Sequence, residues 1–131
     1  MADLSSLVRQ WVQKAEEDWE AAQLLATHDS QATTTCFHCQ QCVEKLLKAS
    51  LLAIGAEVPK THDLRTLSAL LTNRDRAWFW DEEDLDDLTS AAVAMRYPGY
   101  PIDSSDANES ITCARALRQA LLVRLGYKLE A

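Results

Sequence analysis

The sequence predicts an all-α domain, built as an up-and-down bundle of four main antiparallel helices with a short fifth helix. Apolar residues recur every three or four positions along most of the chain, which is the spacing of helical faces. Only 3 Gly and 3 Pro interrupt the 131 residues, far fewer than the turns of an all-β protein require. A chain of this length builds one hydrophobic core, so residues 1–131 are expected to form a single domain.

The chain is acidic, because 20 Asp and Glu residues against 13 Lys and Arg residues give a net charge of −7. The averaged field repels nucleic acid and anionic membranes, so a site for RNA or a nucleotide has to be local. No segment resembles a signal peptide, and no apolar run approaches the roughly 18 residues that span a bilayer. We therefore expect a cytoplasmic protein with no membrane partner, whose 4 cysteines are thiols rather than disulfides.

The first two helices are predicted to form an antiparallel pair. The first runs from Asp3 to about Thr27, and the short polar segment 28–31 reverses the chain into a second helix from about Ala32 to Ile54. Gly55 is placed to end the second helix in a left-handed conformation. The apolar face of the first helix consists of Leu4, Leu7, Val8, Trp11, Ala15, Trp19, Ala22, Leu25 and Ala26. Its acidic residues most simply form a solvated outer face; these are Glu16, Glu17, Asp18 and Glu20.

Leucines at helical spacing predict a short third helix over Thr61–Leu71. Residues 81–87 contain six acids, which suit a helix N-terminus because the macrodipole favours negative charge there. A fourth helix is therefore predicted to begin at Glu82 or Glu83 and to reach Met95 or Arg96. A calcium loop is the competing interpretation of the acids, but the glycine and the alternating ligands of that motif are missing.

Residues 97–101 cannot continue a helix, because two prolines and a glycine remove hydrogen-bond donors and add backbone freedom. After this loop, Ser104 or Ser105 is the expected N-cap of the last helix, and Gly126 is its expected end. The apolar face of this helix consists of Ala107, Ile111, Ala114, Leu117, Leu121, Leu122 and Leu125.

The second helix has two distinct faces when its residues are placed at about 100° intervals. One face is apolar and is expected to line the core; it contains Cys36, Cys39, Cys42, Val43, Leu46, Leu47, Ser50 and Ile54. The other is a polar stripe of His38, Gln41, Glu44, Lys45 and Lys48. The stripe is either a solvated face with a Glu44–Lys48 pair or, since Phe37 and Leu52 interrupt it, a surface covered by another helix or another protomer.

The run Cys36, Cys39, Cys42, with His38 inside it, superficially resembles a metal or redox site. Zinc and cluster motifs usually need a loop that folds thiolates around the ion, whereas these thiols follow the apolar face of a continuous helix. Buried cysteine also behaves as a small hydrophobic residue. We therefore expect core packing and no bound metal, and a thiol redox or metal-binding role remains the alternative.

Four segments together resemble the HEPN domain family over nearly the whole chain. They are Ala15–Leu25, Phe37–Lys48, His62–Leu64 and Arg96–Pro98, and the FHxQQxxEKxLK pattern in the second is the most specific. The resemblance implies a helical bundle that usually dimerises and that is often encoded beside a nucleotidyltransferase of the MNT type. It also implies a gene pair of toxin–antitoxin character, with a nucleotide or RNA as ligand and no cofactor.

Many members of the family resemble metal-independent ribonucleases that use an Arg followed four to six residues later by His. The resemblance places Arg96 at the arginine, where it would orient a phosphate while the histidine assists proton transfer. A capping or ion-pair role near the end of the fourth helix is the equal alternative for Arg96. This chain has Pro101, Ile102 and Asp103 at the permitted histidine positions, none of which is a proton carrier near neutral pH. His38 is the candidate replacement.

Two functions follow from this resemblance. The first is a noncatalytic dimeric module that binds a nucleotidyltransferase or a nucleotide or RNA phosphate, and the second is a divergent ribonuclease using Arg96 and His38. His62 more simply serves a helix start, and Tyr97 either stacks on a base or packs across its loop. The predicted nucleotide or partner site consists of His38, Gln41, Glu44, Lys45, Lys48, Arg96 and Tyr97.

Overall fold

The computed structural model describes residues 4–129, and all of its regular structure is helical. The helices are α1 (Leu4–Leu25), α2 (Ala32–Ala53), α3 (Leu64–Arg74), α4 (Glu82–Val93) and α5 (Ser104–Arg124), with a single turn of 3₁₀ helix at Asp29–Gln31. The predicted all-α architecture, with four main helices and one short helix, is confirmed. Within the described residues, none of the helices combines the length and apolar character that a membrane crossing requires.

Helix α2 is the central element, because it packs against each of the other four helices. Its cysteines and leucines meet the apolar residues of α1 and α5 in the main core. Cys36, Cys39 and Cys42 are completely buried, so the predicted core face is confirmed at these positions. Ile54 does not belong to that face, since it follows the last residue of α2 and is exposed.

Three apolar residues of the predicted helix faces are also exposed. Leu4 and Leu7 lie in the first turns of α1, ahead of its first buried residue, Val12. Leu70 lies on α3, where Leu64, Leu67 and Leu71 reach the core instead. The core therefore covers the middle of the bundle and leaves the N-terminal turns of α1 outside.

Helices α3 and α4 differ from prediction at their ends. Helix α3 begins at Leu64 instead of Thr61 and continues to Arg74. Helix α4 begins at Glu82 as predicted but ends at Val93, and tighter turns bonded to Ala92 and Val93 follow it. Arg96 consequently lies in a turn after the helix rather than in its last residues.

The start of α5 is set by an aspartate instead of the expected serine. The Asp103 carboxylate accepts the backbone N–H of Asp106 at 3.0 Å, and the Asp106 carboxylate accepts the backbone N–H of Asp103 at 3.0 Å. This reciprocal capping box satisfies two helix-end donors at once, which a serine at position 104 or 105 does not do here. These hydrogen bonds hold the pKa of Asp103 below its ordinary value.

Candidate functional site

The polar stripe of α2 is largely covered by the same chain. Glu44 and Lys48 are buried, while His38, Gln41 and Lys45 are partly exposed. The interpretation as a solvated face is wrong for Glu44 and Lys48, because α2 lies in the middle of the bundle and its neighbours cover that side too. The stripe divides into two hydrogen-bonded groups and one outward-facing part.

The first group is organised by Asp18 of α1. One carboxylate oxygen lies 2.8 Å from Nδ1 of His38, and the other accepts a hydrogen bond from Nζ of Lys45 at 2.6 Å. Asp18 is only 8% exposed, so the sequence-based assignment of this residue to a solvated face was wrong. The contact joins α1 to α2 across their polar seam, and the pairing compensates the burial of a charge.

The same contact fixes the orientation of the His38 ring. An ionised carboxylate only accepts hydrogen bonds, so Nδ1 of His38 carries the proton that faces Asp18. Its Nε2 atom is then an acceptor when the ring is neutral. The Lys45 ammonium is held by the same carboxylate, so Asp18 engages two of the predicted site residues inside the chain.

The second group is organised by Glu44. Its Oε1 atom lies 3.0 Å from the amide nitrogen of Gln40 and 2.9 Å from Nδ1 of His62, and its Oε2 atom lies 3.2 Å from Nζ of Lys48. The Gln40 amide also donates to the backbone oxygen of His62 at 2.9 Å, and Gln41 donates to the side-chain oxygen of Gln40 at 2.8 Å. The network attaches the segment before α3 to α2.

His62 therefore has a different role from the predicted one. It precedes α3, whose N-cap residue Asp63 makes no side-chain hydrogen bond to the helix backbone. The His62 ring instead contacts Glu44, and its carbonyl accepts a hydrogen bond from Gln40. Gln40, which is absent from the predicted site, helps to join α2 to the segment before α3. Its position in the FHxQQxxEKxLK pattern is the signal that could have identified it.

The outward-facing part lies where α2 meets the turn after α4. The Arg96 guanidinium lies over the Phe37 ring, 5.7 Å from its centroid, and the Phe37 and His38 ring centroids are 5.5 Å apart. Arg96 and Tyr97 are exposed. We call Phe37, His38, Gln41, Arg96 and Tyr97 the Arg96 surface, in which Gln41 lies one helical turn beyond Phe37 and His38.

The structure thus brings His38 and Arg96 to one surface without joining them directly. Over residues 4–129, no hydrogen bond links the two side chains, and each of them contacts the Phe37 ring instead. The guanidinium has no carboxylate partner in this part of the chain, in contrast to Arg118, which binds Glu16 through two hydrogen bonds of 2.7 and 2.6 Å. A planar cation fixed on a ring with free N–H groups is suited to bind a phosphate oxygen pair.

The thiols of α2 belong to the core. Burial raises the pKa of Cys36, Cys39 and Cys42, which favours the neutral thiol over the nucleophilic thiolate. Cys113 of α5 is partly buried, and desolvation, together with the charges of Asp84 and Asp87, raises its pKa to about 12. Across the described ranges, His, Cys, Asp and Glu side chains form no group of three or more arranged to hold a metal ion.

Comparison with known proteins identifies the fold. A family model described as HEPN domain matches residues 8–125, which is most of the chain. Among solved structures, the chain is similar to the crystal structure of an archaeal HEPN homologue, with 26% sequence identity and a TM-score of 0.67. That match covers 90% of this chain and 97% of the archaeal chain. The search among curated proteins gave no significant match.

Proposed function

Since this chain belongs to the HEPN domain family, we propose that it is a noncatalytic dimeric module that binds a nucleotide or RNA phosphate. The Arg96 surface is the binding site. Its protein partner is a nucleotidyltransferase of the MNT type, as in toxin–antitoxin-like gene pairs. The module supplies recognition, and any chemistry belongs to the partner.

The observation that carries this proposal is the placement of Arg96 on the Phe37 ring, beside His38. The Arg96 side chain is exposed, lies 5.7 Å from the Phe37 ring centroid and pairs with no acid among residues 4–129. The ring restricts the guanidinium, so less side-chain freedom is lost when a phosphate binds. In a chain of net charge −7, such a cation provides the local attraction that an anionic ligand requires.

The residues around Arg96 support binding more than catalysis. Positions 101–103 are Pro, Ile and Asp, so no imidazole follows Arg96 at the spacing of the family's ribonucleases. His38 is held at Nδ1 by Asp18, and Phe37 contacts both His38 and Arg96. Binding needs only the cation and a stacking surface, which Arg96 and Tyr97 offer.

A binding titration tests the role of Arg96. A fluorescent oligoribonucleotide with a 5′ phosphate, and separately ATP, are titrated into the wild type, Arg96→Ala and Arg115→Ala. Arg115 is a matched control, because it is also exposed and also lies 5.7 Å from an aromatic centroid, that of Trp19. We expect Arg96→Ala to weaken binding about tenfold or more, as for a lost charge-assisted contact, with little change in Arg115→Ala. Equal effects, or no binding by the wild type, would contradict the proposal.

Coexpression tests the protein partner and the dimer. We expect the chain to sediment as a dimer and to copurify with the product of the adjacent reading frame. That product should be a short protein with a Gly-Ser loop followed by paired aspartates. A strictly monomeric chain that binds neither this product nor any nucleotide would overturn the proposal.

A second candidate function, a divergent metal-independent ribonuclease, is favoured by one observation. The contact with Asp18 orients the His38 ring, and the neighbouring Phe37 ring carries Arg96. A proton acceptor and a phosphate-binding cation thus share one surface. RNA cleavage in the presence of a chelator, lost in both Arg96→Ala and His38→Ala, would establish this activity, whereas no cleavage or cleavage insensitive to both substitutions would remove it.

A further inference from the structure

Helices α4 and α5 line a groove together with Tyr100, Pro101 and Ile102 of the loop that joins the turn after α4 to α5. Its volume is about 1090 Å³. Apolar side chains from both helices and from the preceding loop reach the surface of the groove, among them Ala91, Ile102 and Ala116. A cylinder of helical diameter occupies roughly 120 Å³ per residue, so the groove has room for about two turns of an α-helix.

The charged side chains that line this groove are all acidic. Asp84 and Asp87 line it from α4, Asp106 and Glu109 line it from α5, and no Lys, Arg or His belongs to the lining. Asp84 accepts a hydrogen bond from the Trp80 indole, and Asp106 belongs to the capping box of α5. Asp87 and Glu109 have neither hydrogen bond nor ion pair within the described chain, so their charges are not compensated internally.

We propose that the α4–α5 groove docks a basic amphipathic helix of a protein partner. The apolar lining accepts the apolar face of the helix, and the carboxylates on both walls pair with lysines or arginines that flank that face. In identifying the partner as a protein, this inference rests on the proposed function, and it assigns that partner to the α4–α5 groove.

The charge of the groove excludes two other occupants. Nucleic acid would place phosphates against the four carboxylates, which repel them. A second copy docked through the same face about a twofold axis would bring the four carboxylates of both copies into one interface. A basic protein segment is the occupant whose charge complements both walls.

The test uses a fluorescein-labelled synthetic helical peptide with leucines on one face and lysines and arginines beside them. Its anisotropy is followed with the full chain, with Asp87→Asn/Glu109→Gln and with Glu17→Gln/Glu20→Gln. The last variant removes the same number of charges from exposed positions on α1. A peptide with glutamates in place of its basic residues controls for the apolar contact.

We expect the wild type to bind the basic peptide, the groove variant to bind it at least tenfold more weakly and the α1 variant to match the wild type within about threefold. Equal weakening in both variants, binding of the acidic peptide, or complete displacement by micromolar spermidine would overturn the inference. So would a change of oligomeric state in the groove variant, because the groove would then lie between copies. Both variants should still bind ATP. A wild type that binds the basic peptide but does not bind ATP would contradict only the proposed phosphate site.

Discussion

At the residue scale, Asp18 determines how the polar residues of α2 are used. Its carboxylate holds His38 and Lys45 from the neighbouring helix, so two residues predicted to bind a ligand are engaged inside the chain. Helical spacing could place Asp18 outside the apolar face of α1. Only the packing of α1 against α2 brings its carboxylate to His38 and Lys45. The sequence therefore could not predict this contact.

Replacing Asp18 with Asn should lower the free energy of unfolding by about 2 kcal/mol, because it leaves a partly buried ammonium and an imidazole without their common carboxylate. Urea unfolding at pH 7 measures this change. Glu20→Gln, an exposed neighbour on α1, should stay within about 0.5 kcal/mol of the wild type. Similar losses in the two variants would contradict the role given to Asp18.

The buried thiols should make stability fall at alkaline pH. Burial raises the pKa of Cys39 and Cys42 above the ordinary value of 9.0, so above about pH 9 the unfolded chain loses their protons while the folded chain keeps them. Each such thiol should then lower the free energy of unfolding with a slope that rises toward about 1.4 kcal/mol per pH unit, and its full contribution is present only well below pH 9. Unfolding curves from pH 8 to 10 test this, since Cys39→Ala/Cys42→Ala should show a shallower decline. An identical decline would contradict it.

At the element scale, α2 is a helix buried on nearly all sides, including its charged side. The apolar periodicity predicted which residues line the core, but it could not show that α1 and the segment before α3 cover the opposite face. Glu44 and Lys48 follow the spacing of an ordinary surface pair and instead lie buried, 3.2 Å apart. Residues spaced like an exposed pair can thus be buried when their helix lies at the centre of the bundle.

The Glu44–Lys48 pair is expected to specify contacts more than to add stability. Glu44→Ala should destabilise the fold by about 3 kcal/mol, because it leaves the Lys48 ammonium buried without a carboxylate. The double variant Glu44→Leu/Lys48→Met should recover the part of that loss that comes from the unpaired ammonium, since it removes both charges together. The rest should remain, because Gln40 and His62 still lose their acceptor. Thermal and urea unfolding measure both, and a double variant as unstable as Glu44→Ala would refute the explanation.

The capping box makes the first turn of α5 sensitive to acid. The hydrogen bonds to Asp103 lower its pKa, so their contribution is present above the ordinary pKa of 3.8 and is lost as the pH falls below it. We expect amide exchange in the first turn of α5 to become faster, relative to the intrinsic rate, below about pH 4. Asp103→Ala should already show this at pH 6. If the first turn of α5 exchanges as slowly in Asp103→Ala as in the wild type, the cap does not hold this helix end.

At the scale of the whole molecule, the acidic groove and the Arg96 surface are formed by different residues. The acidic groove between α4 and α5 lies on one part of the chain, and the Arg96 surface lies where α2 meets the turn after α4. The sequence predicted the bundle, which is confirmed, because helices follow from apolar periodicity. Arg96 and His38 were identified by a family pattern, and their role stays a prediction. The sequence could not predict the groove, because the acids of residues 81–87 indicated only a helix start. Only the packing of α4 beside α5 brings Asp84 and Asp87 to the same groove as Asp106 and Glu109.

The central claim is that the Arg96 surface binds phosphate, and chemical-shift mapping by NMR with ATP tests it most directly. The account predicts saturable shifts in the backbone amides of Phe37, His38, Arg96 and Tyr97, and in the Arg96 side-chain N–H. The amides of Asp87 and Glu109 in the acidic groove should not move. Absence of shifts at the Arg96 surface, or equal shifts around Arg115, would contradict it.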